Sequence, residues 1–385
     1  MPKPGAMRVE ARPEIFRWAR ERSGQSLANL HPRFPRLESW ERGEVRPTLR
    51  QLEAFAKAVF VPIGYFFLPE PPEERIPIPD FRTVRSELLE QASPNLLDVI
   101  YLCQRRQAWY RDYARVVGEE PRNFVGSVQT GDQVTLVADE MRRMLNFDLK
   151  ARQNCPTWTE ALRQFIDRAE DAGVLVMVSG VVGSNTRRKL DPNEFRGFAL
   201  ADELAPLIFI NGADTKAAQM FSLAHELAHL WLGQSALSDV SPNSIPAHRI
   251  ERWCNQVAAE LLVPLGVLQG VLSRVEPLAE VQNLARQFKV STLVILRRIF
   301  DAELISWNTF QEAYDQELER LRRLPKSRGG DFYLTKEVSA SRRFVRALVV
   351  STMEGQTLYR EAFQLLGIKK ERTFAELSQR LGISI

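Results

Sequence analysis

Two of the chain's four histidines, His225 and His229, stand four residues apart, with Glu226 directly after the first. They lie in the apolar stretch FSLAHELAHLWLG, residues 221–233. Helix positions i and i+4 share a face, with Cβ atoms about 5–6 Å apart. Two imidazoles so placed can both reach one tetrahedral zinc at about 2.0–2.1 Å. A glutamate beside the first histidine can take a proton from water that the metal activates, and H-E-x-x-H encodes that geometry. The other residues, Phe221, Leu223, Ala224, Leu227, Ala228, Leu230 and Trp231, bury the helix and keep such a site dry. A buried helix with two satisfied histidines is the competing explanation. It leaves unexplained why Glu226, costly to bury, falls at that position on an apolar helix.

A catalytic zinc needs a third protein ligand and an open fourth position. Extending the motif by x-x-G-x-x-H would require Gly at 232 and His at 235, where the chain has Leu232 and Ser235. The remaining candidates are His248 and, in IERWCNQVAAELL, Glu251 and Glu260. Glu251 is favoured. Asn255 follows it by one turn on the same face, and an amide there can hydrogen-bond a liganding histidine and fix its ring. Glu260 is followed by Leu261 and Leu262 and has no such partner. His248, one turn before Glu251, can approach from the substrate side. With Arg249 it is a candidate for stabilising an oxyanion.

These groups need a frame. TWTEALRQFIDRAEDAG followed by VLVMV reads as a helix and then a buried strand, and FRGFALAD and APLIFIN read as two more strands. FRGFALAD is expected to be an edge beside the zinc groove, where Gly197, Phe198 and Ala199 would hold substrate as an added strand. The histidine helix is expected over 214–233, capped by Asp214 and ended by Gly233. The glutamate helix has Pro246 near its first turn and Pro264 past its end. Residues 275–321 read as helical.

The chain has 385 residues, enough for two or three domains. Apolar content of 44% and charged content of 26% fit a soluble globular protein. Cys103, Cys155 and Cys254 are far apart and lack C-x-x-C spacing, which argues against a disulfide framework or a thiolate zinc site. No apolar run approaches the roughly 20 residues of a membrane span, and the first residues carry no secretory signal. The expected location is the cytoplasm, with no membrane partner. Net charge is +4, and residues 1–50 alone carry eleven Lys and Arg against six Glu. The basic excess therefore belongs to the first segment, which suits nucleic-acid contact. LPEPPEERIPIPD is Pro-rich and marks the first boundary.

FSLAHELAHLWLG with IERWCNQVAAELLVP, preceded by RGFALAD and PLIFINGAD and followed by LARQFKVSTLVILRRI, resembles the ImmA/IrrE family of zinc-dependent metallopeptidases. The resemblance covers roughly 155–305. It implies a small sheet packed on helices, one Zn²⁺ per chain on His225, His229 and Glu251, and Glu226 as catalytic base. It also implies cleavage of a partner, commonly a repressor inactivated by limited proteolysis. Trp253–Cys254 departs from many relatives and leaves Glu251 and Asn255 in place. LESWERGEVRPTLRQLEAFAKAV, within 8–68, resembles the XRE-type helix-turn-helix of phage-repressor-like regulators. Pro32 and Pro35 shorten its recognition helix. Arg33, Arg36, Ser39 and Arg42 can still reach phosphate or bases, opposed by Glu38 and Glu41.

The resulting expectation is an α+β chain. A helical helix-turn-helix module occupies 8–68, a Pro-rich linker or arm 69–93, and a helical connector 94–150. A zincin-like metallopeptidase domain follows over 151–310, and a small α/β extension over 325–385. The expected activity is zinc-dependent endoproteolysis of a specific protein partner of the repressor or toxin–antitoxin kind, with DNA as a second partner of the first module. The alternatives are a non-enzymatic DNA-binding regulator or antitoxin that retains the fold, and a sensor whose zinc is structural.

Overall fold

Thr215 starts the helix that carries both histidines, its hydroxyl accepting from Ala218 N at 3.2 Å. Asp214, expected as that cap, instead accepts from Thr215 N at 2.7 Å. The helix ends as expected just before Gly233, which takes φ +66°. A Cβ on Gly233 would stand 2.9 Å from Gly126 Cα, so only glycine allows that close approach. The computed structural model describes residues 8–81, 92–238, 248–272, 276–323 and 339–383. Pro246, the start of the extension and part of the expected linker lie outside the described residues.

The chain divides into two compact units, Met1–Pro77 with Gln91–Asp98, and Ile78–Glu90 with Val99–Ile385. In the first, α1 (Pro13–Arg22), α2 (Leu27–Leu30), α3 (Leu37–Glu41) and α4 (Leu49–Val59) are followed by a 3-10 turn, Ile63–Phe67. Phe16, Phe34, Trp40, Phe55 and Phe66 form its aromatic centre. Arg20 donates from Nε and Nη2 to the two oxygens of buried Glu41, at 2.7 and 3.1 Å. The helix expected to be shortened by Pro32 and Pro35 is α3, only five residues long.

The second unit begins with α5 (Pro94–Val117, shared with the first), α6 (Val134–Met144), α7 (Leu149–Gln153) and α8 (Trp158–Asp171). Then come β1 (Leu175–Ser179), the hairpin β2 (Val181–Val182) and β3 (Asn185–Lys189), β4 (Gly197–Leu200) and β5 (Leu207–Asn211). α9 (Lys216–Trp231), β6 (Ala236–Ser238), α10 (Arg249–Leu262) and α11 (Leu265–Leu272) follow. α12 (Val281–Phe288), α13 (Thr292–Asp301) and α14 (Trp307–Arg322) bear out the expected helical run.

The main sheet has the order β1-β5-β4-β6, with β1 and β5 parallel and the other pairs antiparallel. Val176, Val178, Ile208, Ile210 and Ala199 face α8 and α9 in one continuous core. Period-2 alternation turns Met177, Phe198 and Phe209 to the opposite face. There Phe198 and Phe209 stack at 5.2 Å, and Arg106 of α5 reaches Met177 Sδ at 3.4 Å. Both faces are thus covered, which explains why β1 and β5 read as near-continuous apolar runs. Residues 124–145, expected as connector, share one core with α8, α9 and α10.

The extension, expected as α/β, is helical where described: α15 (Arg342–Met353), α16 (Tyr359–Leu366) and α17 (Glu371–Arg380). Its apolar positions follow helix periodicity and pack α15 against β1. The three cysteines are buried and free. Among the described residues no single helix is long and apolar enough to cross a membrane.

Candidate metal centre

α9 is held at both ends. Thr215 caps its start, and at its end Gly126 N and Val128 N donate to Leu230 O and Trp231 O at 3.1 and 3.2 Å. Phe124 stacks on Trp231 at 4.3 Å. α10 is fixed by three guanidinium groups at its C-terminal carbonyls. Arg142 donates to Glu260 O at 2.7 Å, Arg298 donates to Val263 O at 2.9 Å, and Arg152 donates to Leu262 O. Cations there satisfy orphan carbonyls and suit the helix dipole. Both helices therefore present their side chains from rigid supports.

Four ligand-type atoms from three residues converge between them. His225 Nε2 and His229 Nε2 lie 3.1 Å apart, and Glu251 Oε2 and Oε1 lie 3.2 and 3.0 Å from them respectively. Bond lengths of about 2.0–2.1 Å in a tetrahedral site put neighbouring ligand atoms about 3.3 Å apart. Spacings of 3.0–3.2 Å among these atoms therefore fit neighbouring ligands of one such metal. His225, Glu226 and His229 have no exposed surface, and Glu251 is 2% exposed. Among the described residues no ion pair joins Glu226 or Glu251 to a lysine or arginine. Two buried carboxylates with no lysine or arginine partner fit a site that a divalent cation neutralises.

The electrostatics agree. Burial pushes Glu251 up, but the two histidines outweigh it and hold its carboxyl down to about 2. Burial lowers His229, partly opposed by Glu251, and so favours the neutral imidazole that binds metal. Burial pushes Glu226 well above its ordinary range, and the Glu251 charge adds to this against an opposing pull from Ser238. A nearby cation reverses that bias towards the carboxylate.

Of the residues singled out by sequence, His225, Glu226, His229 and Glu251 come together, and Gly197 joins them. A Cβ on Gly197 would meet Phe209 O at 3.0 Å and Glu226 Oε1 at 3.1 Å. Phe198 and Ala199 face the two buried sides of the sheet instead. β4 is not the expected edge, because β6 pairs along its outer side. Glu260 is no ligand: it pairs with buried Arg298. Asn255 Oδ1 is buried without a hydrogen-bond partner, so the expected bond to a histidine is not formed. Exposed His248 precedes α10 and stacks on Phe81 at 4.4 Å, and Arg249 is exposed.

Two residues at the site were not singled out. Ser238 pairs with Gly197 across β4 and β6 and brings its Oγ to 3.4 Å from His229 Nε2. The Phe81 ring lies parallel to that of His229 at 6.3 Å. Neither carries a local signal, since strand register places the first and a Pro-rich arm the second.

Residues 169–300 match the family model of Peptidase M78, the IrrE N-terminal-like domain. This match supports a metallopeptidase of the ImmA/IrrE type, and it spans both helices of the candidate site. Residues 340–380 match a domain of unknown function, DUF8813, which covers the helical extension. Neither match reaches the N-terminal helices. No curated protein matches the chain.

Proposed function

We propose that the chain is a zinc-dependent endopeptidase that cuts a specific protein partner in repressor- or antitoxin-type regulation. The observation that carries this reading is the convergence of His225, His229 and Glu251, with ligand-type atoms 3.0–3.2 Å apart and Glu226 beside them. Those three residues would hold the metal. When bound, zinc activates a water molecule and polarises a peptide carbonyl. Glu226 accepts the water's proton on its carboxylate and returns it to the leaving amide nitrogen. Gly197 leaves room for that carboxylate against β4, and the apolar surroundings of α9 exclude bulk water. His248 and Arg249 are the candidates for contacting the substrate carbonyl.

The first unit is proposed to bind DNA through Arg33 and Arg36, which are exposed. Arg42 is already paired with Glu38 and, at 3.8 Å, with Glu44. Complete burial of His225, Glu226 and His229 favours a second reading, a non-enzymatic regulator or antitoxin that retains the fold.

Mass spectrometry of new protein termini separates the two. Cells expressing the wild-type chain should show one or two cleavage sites that cells expressing Glu226→Gln lack. Identical termini in both would leave the regulator reading.

A further inference from the structure

Ile78–Phe81 lies along the outer side of β6. Leu237 N donates to Pro79 O at 2.9 Å, and Phe81 N donates to Leu237 O at 3.0 Å. This makes a one-residue parallel bridge between Asp80 and Leu237. Ile78 is buried, Pro79 and Asp80 are exposed, and Phe81 is partly buried. The Phe81 ring stacks on His248 at 4.4 Å and lies parallel to the His229 ring at 6.3 Å. The chain's own arm thus lays an extended backbone and one aromatic side chain on the strand of Ser238, beside a candidate metal ligand.

An added strand gains affinity from main-chain hydrogen bonds and specificity from the sites of its side chains. In the β4–β6 ladder, Leu237 turns its N–H and C=O away from β4, and the arm occupies both. A substrate strand at this edge needs the same two groups. We propose that the β6 edge is a subsite for an extended peptide whose aromatic side chain packs on His248. Ile78–Phe81 holds that subsite as an internal competitor and closes the metal centre. The proposal rests on the peptidase reading above.

The arm is built to be exchangeable. Pro77 and Pro79 have no N–H to give, so the pairing cannot extend into a longer ladder on that side. Its described ties to the edge include two backbone hydrogen bonds and one ring stack. A covalently linked segment still holds its place, because its effective concentration reaches the millimolar range. The full burial of Glu226 means that a peptide bond reaches it only after a covering segment moves. Aromatic selectivity follows from the ring-on-ring geometry at His248, which an aliphatic side chain cannot reproduce.

The test uses the full chain loaded with zinc, as wild type and as Phe81→Ala. The probe is a fluorescein-labelled peptide of residues 76–81, IPIPDF, followed by anisotropy. Phe81→Ala should bind it about tenfold more tightly than wild type does, because the internal competitor is weakened. The same peptide with alanine in its last position should lose that gain. Zinc removal by 1,10-phenanthroline should also be about tenfold faster in Phe81→Ala. Phe81→Leu, which preserves apolar volume, should fall between the two and covers the case in which the alanine variant fails to fold. Equal peptide binding by wild type and variants, or equal binding of the two peptides, overturns the proposal. Selective peptide binding and faster zinc loss without cleavage of any protein would sustain the subsite and remove the peptidase reading.

Discussion

Gly197 and Glu226 are packed so closely that a Cβ on Gly197 would stand 3.1 Å from Glu226 Oε1 and 3.2 Å from its Cγ. Phe209 O, at 3.0 Å from the same point, is backbone and cannot yield easily. The strand therefore forms one wall of the pocket in which the proposed base sits.

Gly197→Ala should displace the Glu226 carboxylate while leaving the three metal ligands in place. Overpacking of this kind costs about 1–3 kcal/mol. The variant should retain its metal, melt at a lower temperature and lose about 10–100-fold in kcat, given the sensitivity of catalysis to small misplacements. Unchanged turnover with full metal content would show that Glu226 does not need this placement.

A second expectation concerns the junction between α8 and the extension. Ser341 Oγ donates to buried Glu170 and accepts from Phe344 N at 3.3 Å, so the start of α15 rests on that carboxyl group. Burial raises Glu170 to about 7, against the hydrogen bonds that favour the ion. Its folded value lies above its unfolded one, so the folded chain binds the extra proton between pH 4.5 and 7. The associated stability is fully present below about pH 4.5 and is lost as pH rises through about 7, by an order of 3 kcal/mol. Urea midpoints should therefore fall over that window in wild type and flatten in Glu170→Gln. The same slope in both proteins would assign the effect to another group.

The histidine pair of the candidate metal site was legible in the sequence because i, i+4 spacing on a helix is local geometry. Glu251 was legible as an acid at the start of the next apolar helix. Three features depended on tertiary pairing. β6 is only three residues long, too short to read as a strand, so β4 passed for an edge. Ser238 gains its meaning from register opposite Gly197. Phe81 sits in a segment whose prolines suggest a spacer, and only its bridge to Leu237 shows where it goes. The expected role of Asn255 failed for a related reason: sharing a face with Glu251 does not aim an amide at a histidine on another helix.

In the N-terminal unit, Arg33 and Arg36 are exposed basic groups directly before the five-residue α3. If they contact DNA, affinity for fragments from the chain's own operon should fall steeply with salt, by about 0.9 log units per phosphate contact for each log unit of salt. Arg36→Ala should reduce that slope by about one contact in a mobility-shift titration. No binding to any such fragment at low salt would leave a protein-docking role for the unit.

The proposed function requires His225, His229 and Glu251 to hold the metal and leaves Glu226 free to move the proton. Elemental analysis of purified wild type, Glu226→Gln and Glu251→Ala after dialysis against zinc tests this directly. Wild type and Glu226→Gln should each carry about one zinc per chain, and Glu251→Ala, reduced to two of three protein ligands, should carry little. Zinc-free wild type, or loss of zinc from Glu226→Gln with retention in Glu251→Ala, would contradict the assignment.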